Sequence, residues 1–375
     1  MRSISVLWLT GAPGVGKSTV GWELHTWARA EDLPVAYVDI DQLGLLAPPP
    51  TGDPDCHRLK AANLVEVVRT FRRHGAHHVI VSGVVDPDRG IEPYVEDAAD
   101  LEFTLVRLRC TREELRRRYL DRGSTGERLD ELMSVADAYD RNAVGEPFDT
   151  TTMPPGEVVR KLSDRIRPAL QANSPTTVPL PAPRDADVPG REQMTVLLLA
   201  GPTAVGKSTV GWEVLKTLWE RGLPAAYVDV EQLGFCHPDA APKAKADNLL
   251  QVWRGYRRAG ACALIVVARG EPLRYRQALA DELVITVHLE ASPSELAKRI
   301  AQRARGEGPR LAGDSLIGTS DRQRARTIER SVAEATALRR HRGAALVIDT
   351  DRETSSAVAA KLADVFRKGE TPPEA

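Results

Sequence analysis

A nine-residue glycine-rich stretch occurs twice in this chain of 375 residues, and it limits the choice of fold more than any other feature. The copies are Gly11-Ala12-Pro13-Gly14-Val15-Gly16-Lys17-Ser18-Thr19 and Gly201-Pro202-Thr203-Ala204-Val205-Gly206-Lys207-Ser208-Thr209. Each copy follows an apolar run and precedes an amphipathic segment, a pattern that indicates a strand, a loop and a helix in that order. A glycine-rich loop in this context is typical of a phosphate-binding site.

The spacing of the glycines and the lysine predicts a role for each position of these two phosphate loops. Backbone N–H groups form a nest for phosphate oxygens, and the start of the following helix adds about half a positive charge. The lysine would reach the outer phosphates, and the serine hydroxyl would bind Mg²⁺. The residues expected to hold the nucleotide are Gly11, Gly14, Gly16, Lys17, Ser18 and Thr19 in the first copy and Gly201, Gly206, Lys207, Ser208 and Thr209 in the second.

The repetition extends beyond the loop and indicates an internal duplication. Residues 33–44 recur almost unchanged at residues 223–234, with the same offset of 190 that relates the two phosphate loops. The offset changes further along the chain, as insertions and deletions in surface connections would produce. Frequent prolines between the copies favour an extended spacer. We therefore predict two domains, at residues 1–172 and 192–375, joined by a linker at residues 173–191.

Apolar runs alternate with amphipathic patterns inside each copy. In the first copy we predict strands at 4–10, 35–40, 78–83, 103–109 and, more weakly, 147–150, and helices at 16–30, 57–74, 112–122, 127–142 and 156–171. Strands this apolar, separated by helices, imply a parallel sheet with helices on both faces. We therefore predict an α/β fold with two tandem domains of about five parallel strands each. Ligands are expected beyond the carboxyl ends of those strands.

Two acidic residues end the second predicted strand of each copy. Asp39 and Asp41 are two residues apart, and side chains at that spacing on a strand point to the same face. We expect Asp39 to hold Mg²⁺ and Asp41 to accept the proton of an attacking hydroxyl or to orient it. Asp229 and Glu231 are the equivalent pair in the second copy, where Glu231 is one methylene longer. An acidic turn without a catalytic role is the alternative interpretation.

A basic segment follows the fourth predicted strand of each copy. Arg118 and Arg122 are four residues apart on one helix face, and Arg299 and Arg303 repeat that spacing. Phosphoryl transfer needs cations around the equatorial oxygens of the phosphate. We interpret the segment as a lid that supplies them, and a solvated helix surface is the alternative.

The order of these features resembles the P-loop kinase superfamily of small phosphotransferases, and the likeness covers nearly all of each half. The nearest likenesses are to shikimate kinase, gluconate kinase, adenylylsulfate kinase and chloramphenicol phosphotransferase. The resemblance implies ATP with Mg²⁺ held by Lys17 and Ser18, an acceptor near Asp41, and a mobile lid. It also implies that Asp149-Thr150, matched by Asp349-Thr350, begins the loop that packs on adenine.

The acceptor region departs from that family and from one copy to the other. Shikimate kinase has a glycine triplet after its third strand, where this chain has Ser82-Gly83-Val84-Val85-Asp86 and Ala268-Arg269-Gly270-Glu271. The resemblance therefore does not identify the acceptor. Arg58 and Lys60, with Lys245 in the second copy, are candidates to bind an anion on the acceptor, because they lie near a helix N-terminus. A helix-surface cation is an equally good interpretation of each.

Composition excludes several other classes of protein. A formal net charge of -1 gives no reason to expect nucleic acid or an anionic membrane as a partner. The four cysteines form no CxxC pair, which argues against a zinc site and a disulfide framework. No apolar run approaches the length of a membrane span. We expect a cytoplasmic protein with a small-molecule acceptor and paired domains, and the question of a homo-oligomer stays open.

Two functional hypotheses follow from these features. The leading one is an ATP- and Mg²⁺-dependent phosphotransferase that acts on a small hydroxyl-bearing metabolite or nucleotide. The alternative is a nucleotide-binding regulator in which one or both domains phosphorylate nothing, as the duplication and the unequal acceptor regions suggest. We expect the first half to be the main catalytic site because it keeps the Asp-x-Asp pair.

Overall fold

A computed structural model describes residues 4–96, 98–121, 126–172, 192–238, 241–270, 272–307, 311–314, 316–340 and 345–366. The chain forms two compact units. The first unit comprises residues 1–44, 55–184 and 232–244, and the second comprises residues 45–54, 185–231 and 245–375. The predicted linker at 173–191 lies outside the described residues.

The strands and helices alternate along most of the chain. The strands are β1 (Ile4–Thr10), β2 (Val35–Asp39), β3 (Leu46–Ala47), β4 (His78–Ser82), β5 (Leu101–Arg109), β6 (Glu146–Asp149), β7 (Thr195–Ala200), β8 (Ala225–Asp229), β9 (Ala263–Ala268), β10 (Leu283–Glu290) and β11 (Leu346–Asp349). The α-helices are α1 (Lys17–Ala30), α2 (His57–Arg73), α3 (Glu92–Val95), α4 (Arg112–Asp121), α5 (Leu129–Asn142), α6 (Pro155–Ala172), α7 (Lys207–Glu220), α8 (Ala241–Arg258), α9 (Pro272–Ala278), α10 (Pro293–Ala304), α11 (Asp321–Arg340) and α12 (Ser355–Ala363). Single 3₁₀ turns lie at Ile40–Leu43, Gly126–Arg128, Val230–Leu233 and Asp364–Phe366.

The first unit is built on a sheet of five parallel strands in the order β2-β4-β1-β5-β6. The central strand β1 is apolar on both sides, and Val6, Trp8 and Leu9 are fully buried. Strands of this kind require helices on both faces of the sheet, as the sequence predicts. The predicted α/β fold is confirmed, and each of the five predicted strands is present.

The second unit repeats this arrangement with one additional strand. Its sheet has the order β11-β10-β7-β9-β8-β3, in which the first five strands are parallel and β3 is antiparallel to β8. Its core includes Leu197 and Leu199 of β7 and Val214 of α7, all fully buried. Among the described residues, no helix is both long and apolar enough to cross a membrane.

Each unit also contains a short segment that the chain contributes from the other half of the sequence. In the first unit the Tyr37 amide donates a hydrogen bond to the Phe235 carbonyl at 2.9 Å, and the Phe235 ring lies 4.7 Å from the Trp22 ring. In the second unit the Tyr227 amide donates to the Leu45 carbonyl at 2.9 Å. Tyr37 and Tyr227, like Leu45 and Phe235, differ in number by 190, so the two exchanged segments are equivalent.

These segments occupy the position where each parallel sheet would otherwise end. An exposed edge strand presents unpaired N–H and C=O groups, and a covering segment satisfies them. The predicted domain boundaries at residues 172 and 192 do not include this exchange of segments. Residues 45–54 belong to the second unit and residues 232–244 to the first, although each segment lies in the opposite half of the sequence.

Candidate active site

The first phosphate loop joins β1 to α1 through a backbone that only glycine adopts readily. Gly11 has φ 130° and Gly16 has φ 106°, values that favour glycine. A Cβ atom on Gly11 would lie 2.3 Å from the Leu108 carbonyl oxygen of β5. The loop is therefore fixed against the sheet at Gly11, and helix α1 begins at Lys17, directly after Gly16.

The loop lysines have the same contacts in both units. The Lys17 ammonium donates to the carbonyls of Gly11 at 2.9 Å and Ala12 at 3.0 Å. The Lys207 ammonium donates to the carbonyls of Gly201 and Pro202, both at 2.8 Å. Burial lowers the pKa of Lys207 to about 8, although the nearby Asp229 carboxylate opposes the shift. Each lysine thus lies across its own phosphate loop, where it was predicted to reach the outer phosphates of the nucleotide.

A serine hydroxyl and an aspartate carboxylate lie together at the start of the first helix of each unit. The Ser18 hydroxyl donates to Asp39 Oδ2 at 3.1 Å, and the Ser208 hydroxyl donates to Asp229 Oδ2 at 3.4 Å. No group of three or more histidine, cysteine or acidic residues able to hold a metal occurs in the part of the chain that the structure describes. Two oxygen ligands fit Mg²⁺, which keeps several waters and shares phosphate oxygens with the protein.

Burial gives both of these aspartates a raised pKa. The pKa of Asp39 rises to about 6, first because burial disfavours the charged form and then because the Asp41 carboxylate is close. The pKa of Asp229 is also raised, again mainly by burial. A cation at this position would stabilise the charged carboxylates.

The second acid of each pair lies just beyond the strand. Strand β2 ends at Asp39, and Asp41 belongs to the 3₁₀ turn, so strand alternation does not place its side chain. The Asp41 amide instead donates to Asp39 Oδ1 at 3.2 Å, and the Asp41 carboxylate accepts a hydrogen bond from Lys60 at 2.9 Å. The acid pair is therefore held by the turn and by helix α2.

The second unit repeats this arrangement with glutamate. The Glu231 amide donates to Asp229 Oδ1 at 3.0 Å, and Lys245 donates to Glu231 Oε2 at 2.7 Å. Burial would raise the pKa of Glu231, but the nearby cations, first Lys245 and then Arg269 and Lys207, outweigh it, so the pKa lies below its ordinary value. Lys60 and Lys245, the predicted anion candidates, thus pair with the acids, whereas Arg58 is exposed on α2.

Arg118 connects helix α4, in the predicted lid segment, to two loops of the first unit. Its guanidinium donates to the Val15 carbonyl at 3.3 Å, to the Thr150 hydroxyl at 2.9 Å and to the Thr150 carbonyl at 2.7 Å. The Glu114 carboxylate accepts a further hydrogen bond from it at 2.7 Å. Arg118 therefore joins the phosphate loop to the Asp-Thr segment that follows β6. Arg122 lies outside the described residues.

Arg299 makes the same contacts in the second unit. It donates to the Val205 carbonyl at 2.8 Å, to the Thr350 hydroxyl at 3.0 Å and to the Thr350 carbonyl at 2.9 Å. Arg303, one turn further along α10, pairs with Asp314 at 2.6 Å. Both arginines line a cavity of about 440 Å³, together with Gly206, Lys207, Ser208, Thr209 and Thr350. The structure thus brings together most of the predicted nucleotide residues of this unit.

Two groups of residues near the phosphate loops were missed by the sequence interpretation. In the second unit Glu334 Oε2 accepts hydrogen bonds from the Thr203 amide at 2.8 Å and the Thr203 hydroxyl at 3.0 Å. Pro13 occupies this loop position in the first unit and has no N–H to donate. The difference between Pro13 and Thr203 was visible in the sequence, but nothing there connected Thr203 to a glutamate 131 residues away.

In the first unit a polar cluster lies at the start of α2. His57 Nδ1 is 3.1 Å from the Tyr94 hydroxyl, and His57 Nε2 is 3.9 Å from Asp86 Oδ2. His57 precedes Lys60 by three residues, so the two side chains share a face of α2. Asp86 lay in the region noted for its departure from the glycine triplet, whereas His57 and Tyr94 carried no sequence signal.

Comparison with known proteins finds one family model that matches part of the chain. Residues 7–138 match a family model described as an AAA domain, which supports the resemblance to P-loop kinases over this region. No curated protein matches the chain.

Several solved kinase structures are similar to part of the chain. A gluconokinase from Sinorhizobium meliloti 1021 is 18% identical, with 46% of this chain and 97% of that chain covered and a TM-score of 0.34. A shikimate kinase from Bacteroides thetaiotaomicron is 18% identical, with 44% and 98% covered and a TM-score of 0.31. The Mycobacterium tuberculosis APS kinase in complex with AMPPNP and APS is 19% identical, with 46% and 98% covered and a TM-score of 0.28.

Proposed function

We propose that this protein is an ATP- and Mg²⁺-dependent phosphotransferase that moves the γ-phosphate of ATP to the hydroxyl of a small metabolite or nucleotide. One observation carries the proposal. In both units the loop lysine, the serine–aspartate pair and a lysine-bound acid lie together beside the carboxyl ends of parallel strands. Binding of a nucleotide requires the loop, whereas transfer also requires an acid at the position where a second substrate would approach.

Each residue of the first unit has a role in this proposal. The loop N–H groups and Lys17 hold the phosphates, with Lys17 moving from the Gly11 carbonyl to the outer phosphate. Ser18 and Asp39 hold Mg²⁺, which when bound neutralises charge on the β- and γ-phosphate oxygens. Asp41 accepts the proton of the acceptor hydroxyl. The hydroxyl oxygen forms a bond to the γ-phosphorus, the bond to the bridging β–γ oxygen breaks, and ADP leaves.

The second unit uses Lys207, Ser208, Asp229 and Glu231 in the same roles. For Arg118 and Arg299 the contacts favour a positioning role, because each already holds the phosphate loop to the Asp-Thr segment. Arg303 lines the nucleotide cavity and remains a candidate lid cation, as does Arg122 by the sequence pattern.

The proposal is tested by measuring ADP release from ATP with Mg²⁺ over a broad panel of small alcohols and nucleotides. We expect stimulation by at least one acceptor, and a loss of 10²-fold or more in the variant Asp41→Asn if the first unit turns it over. Lys17→Ala and Lys207→Ala, made separately, assign the activity to a unit.

The unequal acceptor regions of the two units favour a second candidate, a nucleotide-binding regulator. This alternative predicts ATP binding to the full chain with no acceptor-stimulated ADP release from any member of the panel. It also predicts that Asp41→Asn leaves ATP turnover unchanged. That combination would exclude the transferase.

A further inference from the structure

The second unit has a cavity of about 300 Å³ that is separate from the residues expected to hold the nucleotide. Its walls are mainly apolar. Pro272 and Leu273 of α9 line one part, and Ala337 and Leu338 of α11 line another. Gly270 and two charged side chains, Arg269 and Glu334, form the rest of the described lining.

This cavity lies beside the second phosphate loop. Ala268, the last residue of β9, is in register with Ala200, the residue that precedes the loop, so Arg269 leaves the sheet next to Gly201. Glu334 is bonded directly to Thr203 of the loop. The charges of Arg269 and Glu334 both act on Lys207, the first lowering its pKa and the second raising it. The cavity is thus close to the end of the loop lysine.

Most of the described charges around the cavity have a partner. Lys245 is paired with Glu231 at 2.7 Å, and the Glu334 carboxylate accepts two hydrogen bonds from Thr203 and lies 4.0 Å from the Arg330 guanidinium. Arg269 is exposed and makes no hydrogen bond or ion pair with any residue that the structure describes. A guanidinium binds a carboxylate through two parallel hydrogen bonds. Among the described lining residues, the cavity therefore combines apolar walls with one guanidinium, that of Arg269, which can bind an anion.

We propose that this cavity binds the acceptor of the second unit, and that the acceptor is a small hydroxy-carboxylate with an apolar body. The inference rests on the proposed phosphotransferase function. The carboxylate pairs with Arg269, and the apolar body packs against Pro272, Leu273, Ala337 and Leu338. A single guanidinium matches a monoanion better than a phosphate monoester, whose second negative charge would face Glu334. The acceptor hydroxyl then attacks the γ-phosphorus, ADP leaves, and the hydroxyl proton passes to Glu231.

The first unit does not share this chemistry. The register of β1 with β4 places Val84 at the position of Arg269, and the Arg89 guanidinium of this unit lies 3.6 Å from the Asp86 carboxylate. The polar cluster of His57, Asp86 and Tyr94 lies in the acceptor region instead. The two units are therefore expected to take different acceptors.

The test uses the full chain with Lys17→Ala, so that only the second unit turns over nucleotide. Three probes separate the features of the ligand: 3-phenyllactate has a carboxylate, a hydroxyl and an apolar body, 3-phenyl-1,2-propanediol lacks the carboxylate, and glycerate lacks the apolar body. Binding to the protein saturated with Mg·ADP is measured by calorimetry, and ADP release is measured with Mg·ATP. We expect 3-phenyllactate to bind at least about tenfold more tightly than either the diol or glycerate. A hydrogen bond between charged groups contributes enough binding free energy to change Kd about tenfold.

Two substitutions identify the cavity as the site. Arg269→Gln should weaken 3-phenyllactate binding about tenfold or more. Arg276→Gln, on an exposed arginine of helix α9 outside the cavity, should change it less than about twofold. Leu273→Asp, on a residue that is 64% exposed, adds a carboxylate to the wall without disturbing the core and should also weaken binding.

The outcomes are distinct from those that test the transferase itself. Equal binding of 3-phenyllactate and the diol, or no effect of Arg269→Gln, would overturn the inference about the acceptor even if other alcohols stimulate ADP release. Binding of 3-phenyllactate that depends on Arg269 but yields no ADP would uphold the ligand class and contradict phosphoryl transfer.

Discussion

The two phosphate loops differ at a residue that tests how much backbone strain such a loop tolerates. Gly14 has φ 89° in the first loop, whereas Ala204 occupies the equivalent position of the second loop with φ 65°. A Cβ on Gly14 would meet its nearest atoms, on Leu115 and Tyr119, at 3.7 Å, which is ordinary contact. Only the cost of a left-handed backbone would therefore remain, and the second loop already bears it.

We expect Gly14→Ala to lower the free energy of unfolding by about 1 kcal/mol and to leave ATP binding within a few-fold of the parent. Gly11→Ala should abolish ATP binding by the first unit, because its Cβ would lie 2.3 Å from a backbone oxygen of Leu108. Both variants are made in the Lys207→Ala chain and compared by denaturant unfolding and by titration with ATP. Similar effects of the two alanines would contradict the packing argument.

A buried histidine gives the first unit a specific pH dependence. Burial, with a contribution from the nearby Arg29, lowers the pKa of His25 to about 3, and neither ring nitrogen has a hydrogen-bond partner among the described residues. In the unfolded chain His25 would bind a proton near pH 6.5. The unfolded state therefore binds more protons than the folded state between these values, and stability falls as the pH is lowered through that range.

The expected contribution of His25 is about 3 kcal/mol of stability lost between pH 7 and pH 4, from about 1.4 kcal/mol per pKa unit. His25→Phe keeps a ring against Trp22 and Phe235, and it should flatten the plot of unfolding free energy against pH in this range. The measurement is urea unfolding at several pH values. An unchanged slope in the variant would show that His25 does not carry the effect.

At the scale of elements, helices α4 and α10 act as clamps on the phosphate loops. Arg118 and Arg299 each make three hydrogen bonds to a loop carbonyl and a threonine, an arrangement that a planar guanidinium supplies and an ammonium does not. We expect Arg118→Lys to weaken ATP binding by the first unit about tenfold. Arg116→Lys, on an exposed arginine of the same helix, is the matched control and should have no effect. Equal affinities in the two variants would contradict the clamp.

The sequence predicted the main elements well because their patterns are local. Strands such as β1 and β4 are mainly apolar, and the glycine-rich loops fix where α1 and α7 begin. Strand β3 escaped prediction because it has two residues and its partner is Ala225–Ala226, far away in the sequence. The residues expected to hold the phosphates could be predicted from the sequence because they form one contiguous motif. Arg269 and Glu334 could not be predicted, because only the folded sheet and helix α11 bring them to the second phosphate loop.

At the scale of the molecule, the exchanged segments make a prediction about the isolated halves. A chain of residues 1–172 lacks residues 232–244, so it would leave the Tyr37 amide unpaired and the Trp22 ring uncovered. We expect this fragment to aggregate or to unfold without cooperativity. Joining residues 232–244 to its C-terminus through a flexible linker should restore a cooperative transition. The measurements are size-exclusion chromatography and thermal unfolding, and a stable, monomeric 1–172 fragment would contradict the prediction.

The reciprocal exchange also affects how a gene for such a protein can change. After an ordinary tandem duplication either copy can be deleted or separated onto its own gene, because each copy is a complete folding unit. Here a break anywhere between residues 173 and 191 would take from each unit a part of its own sheet edge. Two units that exchange segments in this way are expected to be inherited together as one chain.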